Sequence, residues 1–124
     1  MRQIITLLTF FICLAGFSQN QTELNRNADE AYKNADKELN SIYQTILTER
    51  KSDTVFIQNL ISAQRIWLKY RDSELKVKYP EREPGYYGSS LPMCTSIFLK
   101  KMTEARIATL KTYLEKSEEG NVCN

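Results

Sequence analysis

The sequence predicts an all-α fold, an antiparallel three-helix bundle, and three observations lead there. Apolar residues recur every three or four positions in three long runs. No run alternates with the two-residue period of a strand. All three prolines and two of the four glycines fall in one stretch, "YPEREPGYYGSSLP" (Tyr79 to Pro92), which reads as a single Pro/Gly/Tyr-rich loop between helices two and three.

The chain has 124 residues, the size of one domain. Its start, "MRQIITLLTFFICLAGFSQNQ", has a positive end at Arg2 and an apolar run from Ile4 to Phe17. Gly16 and Ser18 place small side chains three residues and one residue before a cut. Residues 1–18 therefore read as a secretory signal peptide cleaved after Ser18, leaving residues 19–124 as one exported domain, periplasmic or secreted. The apolar run is shorter than the roughly 20 residues a membrane span requires. Cys13 lies inside that run and is followed by Leu14, the wrong order for a lipid attachment site.

In the mature chain "Leu24, Ala28, Ala31, Ala35, Leu39, Ile42, Ile46" steps by three and four, a first helix of about Thr22 to Glu49. Its alanines permit close approach by a neighbour. "RKSD" (Arg50 to Asp53) breaks it and supplies Ser52 or Asp53 as the next N-cap. The second helix runs to about Lys78, with Phe56, Ile57, Leu60, Ile61, Trp67, Leu68 and Leu75 on its apolar side. The third follows the loop to about Lys116, carrying Ile97, Phe98, Met102, Ala105, Leu110, Tyr113 and Leu114. "SEEGNVCN" is a polar tail, and no repeat or low-complexity tract is evident.

Polar residues share the inward stripes. Leu60, Gln64, Trp67 and Arg71 lie on one face of the second helix. Asp36, Asn40, Tyr43 and Leu47 line the first beside Leu39, and Leu99, Met102, Arg106, Leu110 and Tyr113 line the third. A buried arginine needs a partner. Asp36 is the natural counter-charge for Arg71 or Arg106, with Asn40 and Gln64 to satisfy remaining donors. The simplest reading is a structural network that fixes helix register.

Three elements carry a resemblance. They are "ADKELNSIY" (Ala35 to Tyr43), "AQRIWLKYRD" (Ala63 to Asp72), and the run from Cys94 through "TEARIATL" (Thr103 to Leu110). In order, they resemble the lysozyme inhibitor LprI N-terminal domain family over about Ala28 to Leu114. The resemblance maps the family's pattern onto Asp36, Leu39, Asn40, Tyr43, Gln64, Trp67, Arg71, Asp72, Cys94, Thr103, Arg106 and Leu110. It implies an exported helical protein whose partner is a lysozyme-type muramidase. It also implies a cysteine shortly after the Arg-Asp pair, bonded to the late one. That position here is Glu74, so Cys94 lacks its expected partner.

Geometry agrees for the other cysteine. A third helix ending near Lys116 puts its far end roughly 33 Å from Cys94. The seven residues on to Cys123 reach back at most about 25 Å. Cys94 is expected to be buried or unpaired and Cys123 to sit on the tail.

Composition narrows the chemistry. Without Arg2, 16 basic residues face 15 acidic ones, which leaves no nucleic-acid footprint and no basic block for membrane lipids. There is no histidine, the commonest general base and metal ligand. No phosphate loop, nucleophile elbow or paired-cysteine motif occurs, so no catalytic residues, metal or cofactor are assigned. The candidate binding segment is the loop, where Tyr86 and Tyr87 sit between glycines beside Glu81, Arg82 and Glu83. The expected function is non-catalytic binding, to lysozyme by resemblance. The alternative is a module for another cell-envelope protein or for a small ligand between the helices.

Overall fold

The structure, a computed structural model, describes residues 2–115, and side chains for residues 20–115. It contains three α-helices, α1 (Arg2–Glu49), α2 (Thr54–Lys78) and α3 (Leu91–Thr112), and no strand among the described residues.

The helix ends follow local chemistry. Asp53 caps α2, its carboxylate accepting from the Phe56 backbone N–H at 3.0 Å. Lys76 and Lys78 in the last turn of α2 complement the helix dipole. Pro80 then disfavours helical geometry at Tyr79, where α2 stops. Pro92 sits in the first turn of α3, where its missing N–H costs nothing. In the loop, Gly85 and Gly88 take φ of +84° and +70°, left-handed values that favour glycine.

Two boundaries differ from the sequence expectation. Helix α1 begins at Arg2 rather than near Thr22, because no breaker separates the apolar leader from the amphipathic run. Helix α3 ends at Thr112, not Lys116. There Tyr113 and Leu114 donate to the carbonyls three residues back, those of Leu110 and Lys111, a tightened final turn.

The Nδ2 of Asn25 on α1 donates to the Ser89 carbonyl just before α3 at 2.9 Å. Arg50, just past the end of α1, donates from Nη2 to the Tyr113 carbonyl just past the end of α3 at 3.0 Å. Helices α1 and α3 therefore run in the same direction, and α3 approaches α1 much more closely than it approaches α2.

Leu39, Ile46, Leu60, Ile107 and Leu110 form the buried centre, with Ile42, Tyr43, Leu47, Phe56, Trp67, Tyr113 and Leu114 packed around it. Phe56 meets Tyr113 edge-to-face at 5.7 Å, and the Arg50 guanidinium lies over the Phe56 ring at 5.2 Å.

The buried face of α3 is not the expected stripe. Ser96, Thr103, Ile107 and Leu110 are buried, whereas Ile97 and Ala105 are exposed. The small hydroxyl residues occupy the place where a bulky side chain would hold the helices apart. Leu24 and Leu68, assigned to apolar faces from spacing, are also exposed.

Leu110→Ala should lower stability by about 2–5 kcal/mol, as deletion of a buried leucine does. Ile97→Ala should change it by less than about 0.5 kcal/mol, as an exposed substitution does. Urea denaturation of the two variants measures both; equal losses would restore the expected stripe.

Candidate functional site

The single expected polar network is two separate centres, both reached from α2. At the first, Arg71 donates from Nε to Asp72 Oδ1 at 2.9 Å and pairs the same oxygen through Nη2 at 2.8 Å. Its Nη1 stands 3.8 Å from Asp36 Oδ1, so Asp36 is the counter-charge of Arg71, not of Arg106. The guanidinium also lies 5.4 Å from the centre of the Trp67 ring.

The Arg71 side chain is only 13% exposed, while those of Asp36 and Asp72 are 39% and 59% exposed. Partly solvated pairs of this kind stabilise weakly, at about 0–1 kcal/mol each. Much of what Arg71 contributes is therefore the packing of its stem and plane on Trp67. Asn40 does not point inward. It is exposed, and its Nδ2 donates to Asp36 Oδ2 at 3.3 Å, one turn back on the same helix.

Sequence reasoning missed one member, Tyr32, which lies one turn before Asp36. Partial burial pushes its hydroxyl above the ordinary tyrosine range. Arg71 opposes that shift, and the Asp36 and Asp72 carboxylates add to it. The usable signal was the four-residue step from Tyr32 to Asp36, the same spacing that relates Asp36 to Asn40.

At the second centre, Arg106 donates from Nε to Gln64 Oε1 at 3.0 Å. No carboxylate lies within 4 Å of its guanidinium among the described residues, and its buried Nη2 has no partner there. Burial lowers the Arg106 pKa, and nearby Tyr113 works the other way. The group stays a cation. One turn earlier the Thr103 hydroxyl is fully buried and also unpartnered.

The loop after α2 is the other candidate. Tyr87 is half-buried and donates its hydroxyl to the Pro80 carbonyl at 2.8 Å. Its ring meets Tyr79 at 5.8 Å and Tyr86 at 4.8 Å, both edge-to-face. Tyr86 is 68% exposed with the Arg82 guanidinium over it at 5.8 Å, and Glu81, Arg82 and Glu83 are all exposed. The loop and Leu91 line an open concavity of about 310 Å³. So Tyr87 builds the loop and Tyr86 is presented by it, where the sequence treated the two alike.

Behind the loop, Lys78 reaches over the Phe98 ring at 5.3 Å. Cys94 is half-buried and unbonded, and its thiol lies against the Tyr79 hydroxyl. Cys123 falls outside the described residues. Among the described residues no group of histidine, cysteine and carboxylate side chains is arranged to hold a metal ion. No described helix is long and apolar enough to cross a membrane.

A family profile described as "Lysozyme inhibitor LprI" matches residues 13–110. The chain is similar to an uncharacterized protein of Rhizobium meliloti (strain 1021), 32% identical over 110 residues, covering 80% of this chain and 77% of the relative. No solved structure matches.

A raised tyrosine pKa in the folded state means the native protein holds its proton longer than the unfolded chain. That stability is fully present below about pH 10 and is lost as pH rises through the folded value. Melting temperature should therefore fall on the alkaline side of pH 10, and Tyr32→Phe should flatten that limb while leaving neutral-pH stability little changed. Melting curves between pH 8 and pH 11.5 check this; an identical limb in the variant contradicts it.

Proposed function

The chain belongs to the lysozyme inhibitor LprI family, and on that premise we propose that it is an exported, non-catalytic binding protein that inhibits a lysozyme-type muramidase. The observation that carries the reading is the family match across residues 13–110, nearly all of the helical domain. Its leader, residues 1–18, is removed after Ser18 on export. The three helices form an antiparallel bundle whose task is to hold the loop between α2 and α3 rigidly at one end.

The contact with the muramidase is assigned to that loop, because it presents an exposed aromatic ring and a cation together at an open concavity. Glycosidases of this class work with two carboxylates flanking the scissile bond. Arg82 supplies the complementary chemistry, a planar cation able to meet a carboxylate through two hydrogen bonds. Tyr86 supplies rigid aromatic area at small entropic cost. Glu81 and Glu83 keep Arg82 from adding to the positive charge of a basic partner's rim. Gly85, Gly88 and the Tyr87–Pro80 hydrogen bond set the loop's shape beforehand, which reduces the ordering cost of binding.

A lysozyme activity titration tests this. The intact protein should remove activity stoichiometrically. Tyr86→Ala should weaken inhibition by about 2–4 kcal/mol of binding, as loss of an interface anchor does, with an unchanged melting temperature. Tyr87→Ala should weaken inhibition too, but with a loosened fold. Full lysozyme activity at large molar excess of the intact protein would end the inhibitor reading. Equal inhibition by the Tyr86 variant would keep the function and move the site elsewhere.

A further inference from the structure

Helix α2 has a second ordered face, turned about 130° around the helix from its buried stripe at 100° per residue. Val55, Asn59, Ser62, Ile66, Tyr70, Ser73 and Val77 fall within a sector of about 80° at 100° per residue. All seven are exposed and none is charged, in a chain with 26% charged residues. Val55, Ile66 and Val77 are 68%, 64% and 74% exposed and lie eleven residues apart. Eleven residues are just over three whole turns, so the apolar positions run nearly straight along the helix instead of winding around it. The line is roughly 33 Å long from Val55 to Val77.

Beside this ridge, on one flank, stand Arg65, Lys69 and Lys76. None of them has an ion pair among the described residues. Lys33, Lys100, Lys111 and Arg71 do, while Lys37, Lys51, Arg82 and Lys101 do not, so what sets these three apart is their place together beside an uncharged strip. The one carboxylate on that flank, Asp72, is already held by Arg71. The linear sequence shows no basic block, because the helix assembles these cations from positions four to eleven residues apart.

We propose that this face of α2 docks on an anionic lipid surface, lying flat with its apolar ridge at the headgroup boundary. The charge pattern selects an anionic occupant: three unneutralised cations on one side of an uncharged strip. The shape selects a planar and deformable one. A packed partner helix needs an apolar knob every three or four residues, whereas here only Ile66 and Tyr70 are so spaced, and Asn59, Ser62 and Ser73 fill the other positions. A second copy of this chain in antiparallel register would set the basic flank against itself. A bilayer interface accepts hydroxyl and amide groups between apolar contacts, and the long Lys and Arg stems reach headgroup phosphates from the flank. The inference stands apart from the muramidase reading, since it uses none of the loop residues.

The test is flotation of the exported chain with vesicles of phosphatidylglycerol and phosphatidylcholine in equal parts, against pure phosphatidylcholine. Binding should be confined to the anionic vesicles and weaken with added salt. The Arg65→Gln, Lys69→Gln, Lys76→Gln variant should partition on the order of 100-fold less, about fivefold per cation removed. The Val55→Ser, Ile66→Ser, Val77→Ser variant should also lose binding. Unchanged melting temperature and unchanged lysozyme titration in both show that the fold and the loop are intact. Absence of binding to anionic vesicles, equal binding to neutral ones, or full binding by the cation-deleted variant each overturns the proposal.

Discussion

The close approach of α3 to α1 is the constraint on which the rest of this molecule depends. Ala35 on α1 and Ser96 and Thr103 on α3 are buried, and none extends beyond its γ atoms. Small side chains at a seam let two backbones come near, and dispersion then acts over many short contacts. The closeness sets the register that Asn25–Ser89 and Arg50–Tyr113 record at the two ends. It also holds the start of α3, and with it the end of the loop, against α1.

The same constraint explains why the polar groups gather on α2. With α1 and α3 near each other, α2 stands at a greater distance, and large side chains must cross the gap. Leu60, Phe56 and Trp67 do so with apolar bulk. Arg71 does so with an ion pair to Asp36, and Gln64 by accepting a hydrogen bond from Arg106. The two arginines are not equivalent. Arg71 has its carboxylates in partly solvated positions, whereas Arg106 is met only by a neutral amide. A buried cation with a neutral partner is costly, so the second centre adds little stability for the groups it buries.

Much of this was legible in the sequence, and the failures have physical reasons. The "RKSD" break, the Asp53 cap and the loop opened by Pro80 announced α2 at both ends. The step of three and four placed Leu39, Ile46, Leu60 and Leu110 in the core. The face of α3 was misjudged because spacing rules count Ser96 and Thr103 as surface, while the fold uses their small size. Asn40 was placed inside by period, yet an amide one turn from Asp36 finds its acceptor locally. Which carboxylate faces which arginine depends on the rotation of each helix about its own axis, and periodicity leaves that open by about half a turn. In the loop, the roles of Tyr86 and Tyr87 divide through one hydrogen bond to a carbonyl seven residues back, for which adjacent identical residues give no sign.

Function, on this account, is a matter of what the frame leaves uncommitted. The frame uses Tyr87, Gly85 and Gly88 to shape a loop, and leaves Tyr86 and Arg82 in solvent. It uses one side of α2 for the core and leaves a straight uncharged ridge on the other. The placing of the loop's far end depends on the α1–α3 seam staying narrow. The most direct test compares Ala35→Leu, at the seam, with Ala63→Leu, exposed on α2. Overpacking a closed site costs about 1–3 kcal/mol, whereas leucine at an exposed helical position costs almost nothing. Thermal denaturation of the two variants should show a clear drop in melting temperature for Ala35→Leu and none for Ala63→Leu. If Ala35→Leu melts with the parent chain, the seam has room for a large side chain and its narrowness is not what organises the fold.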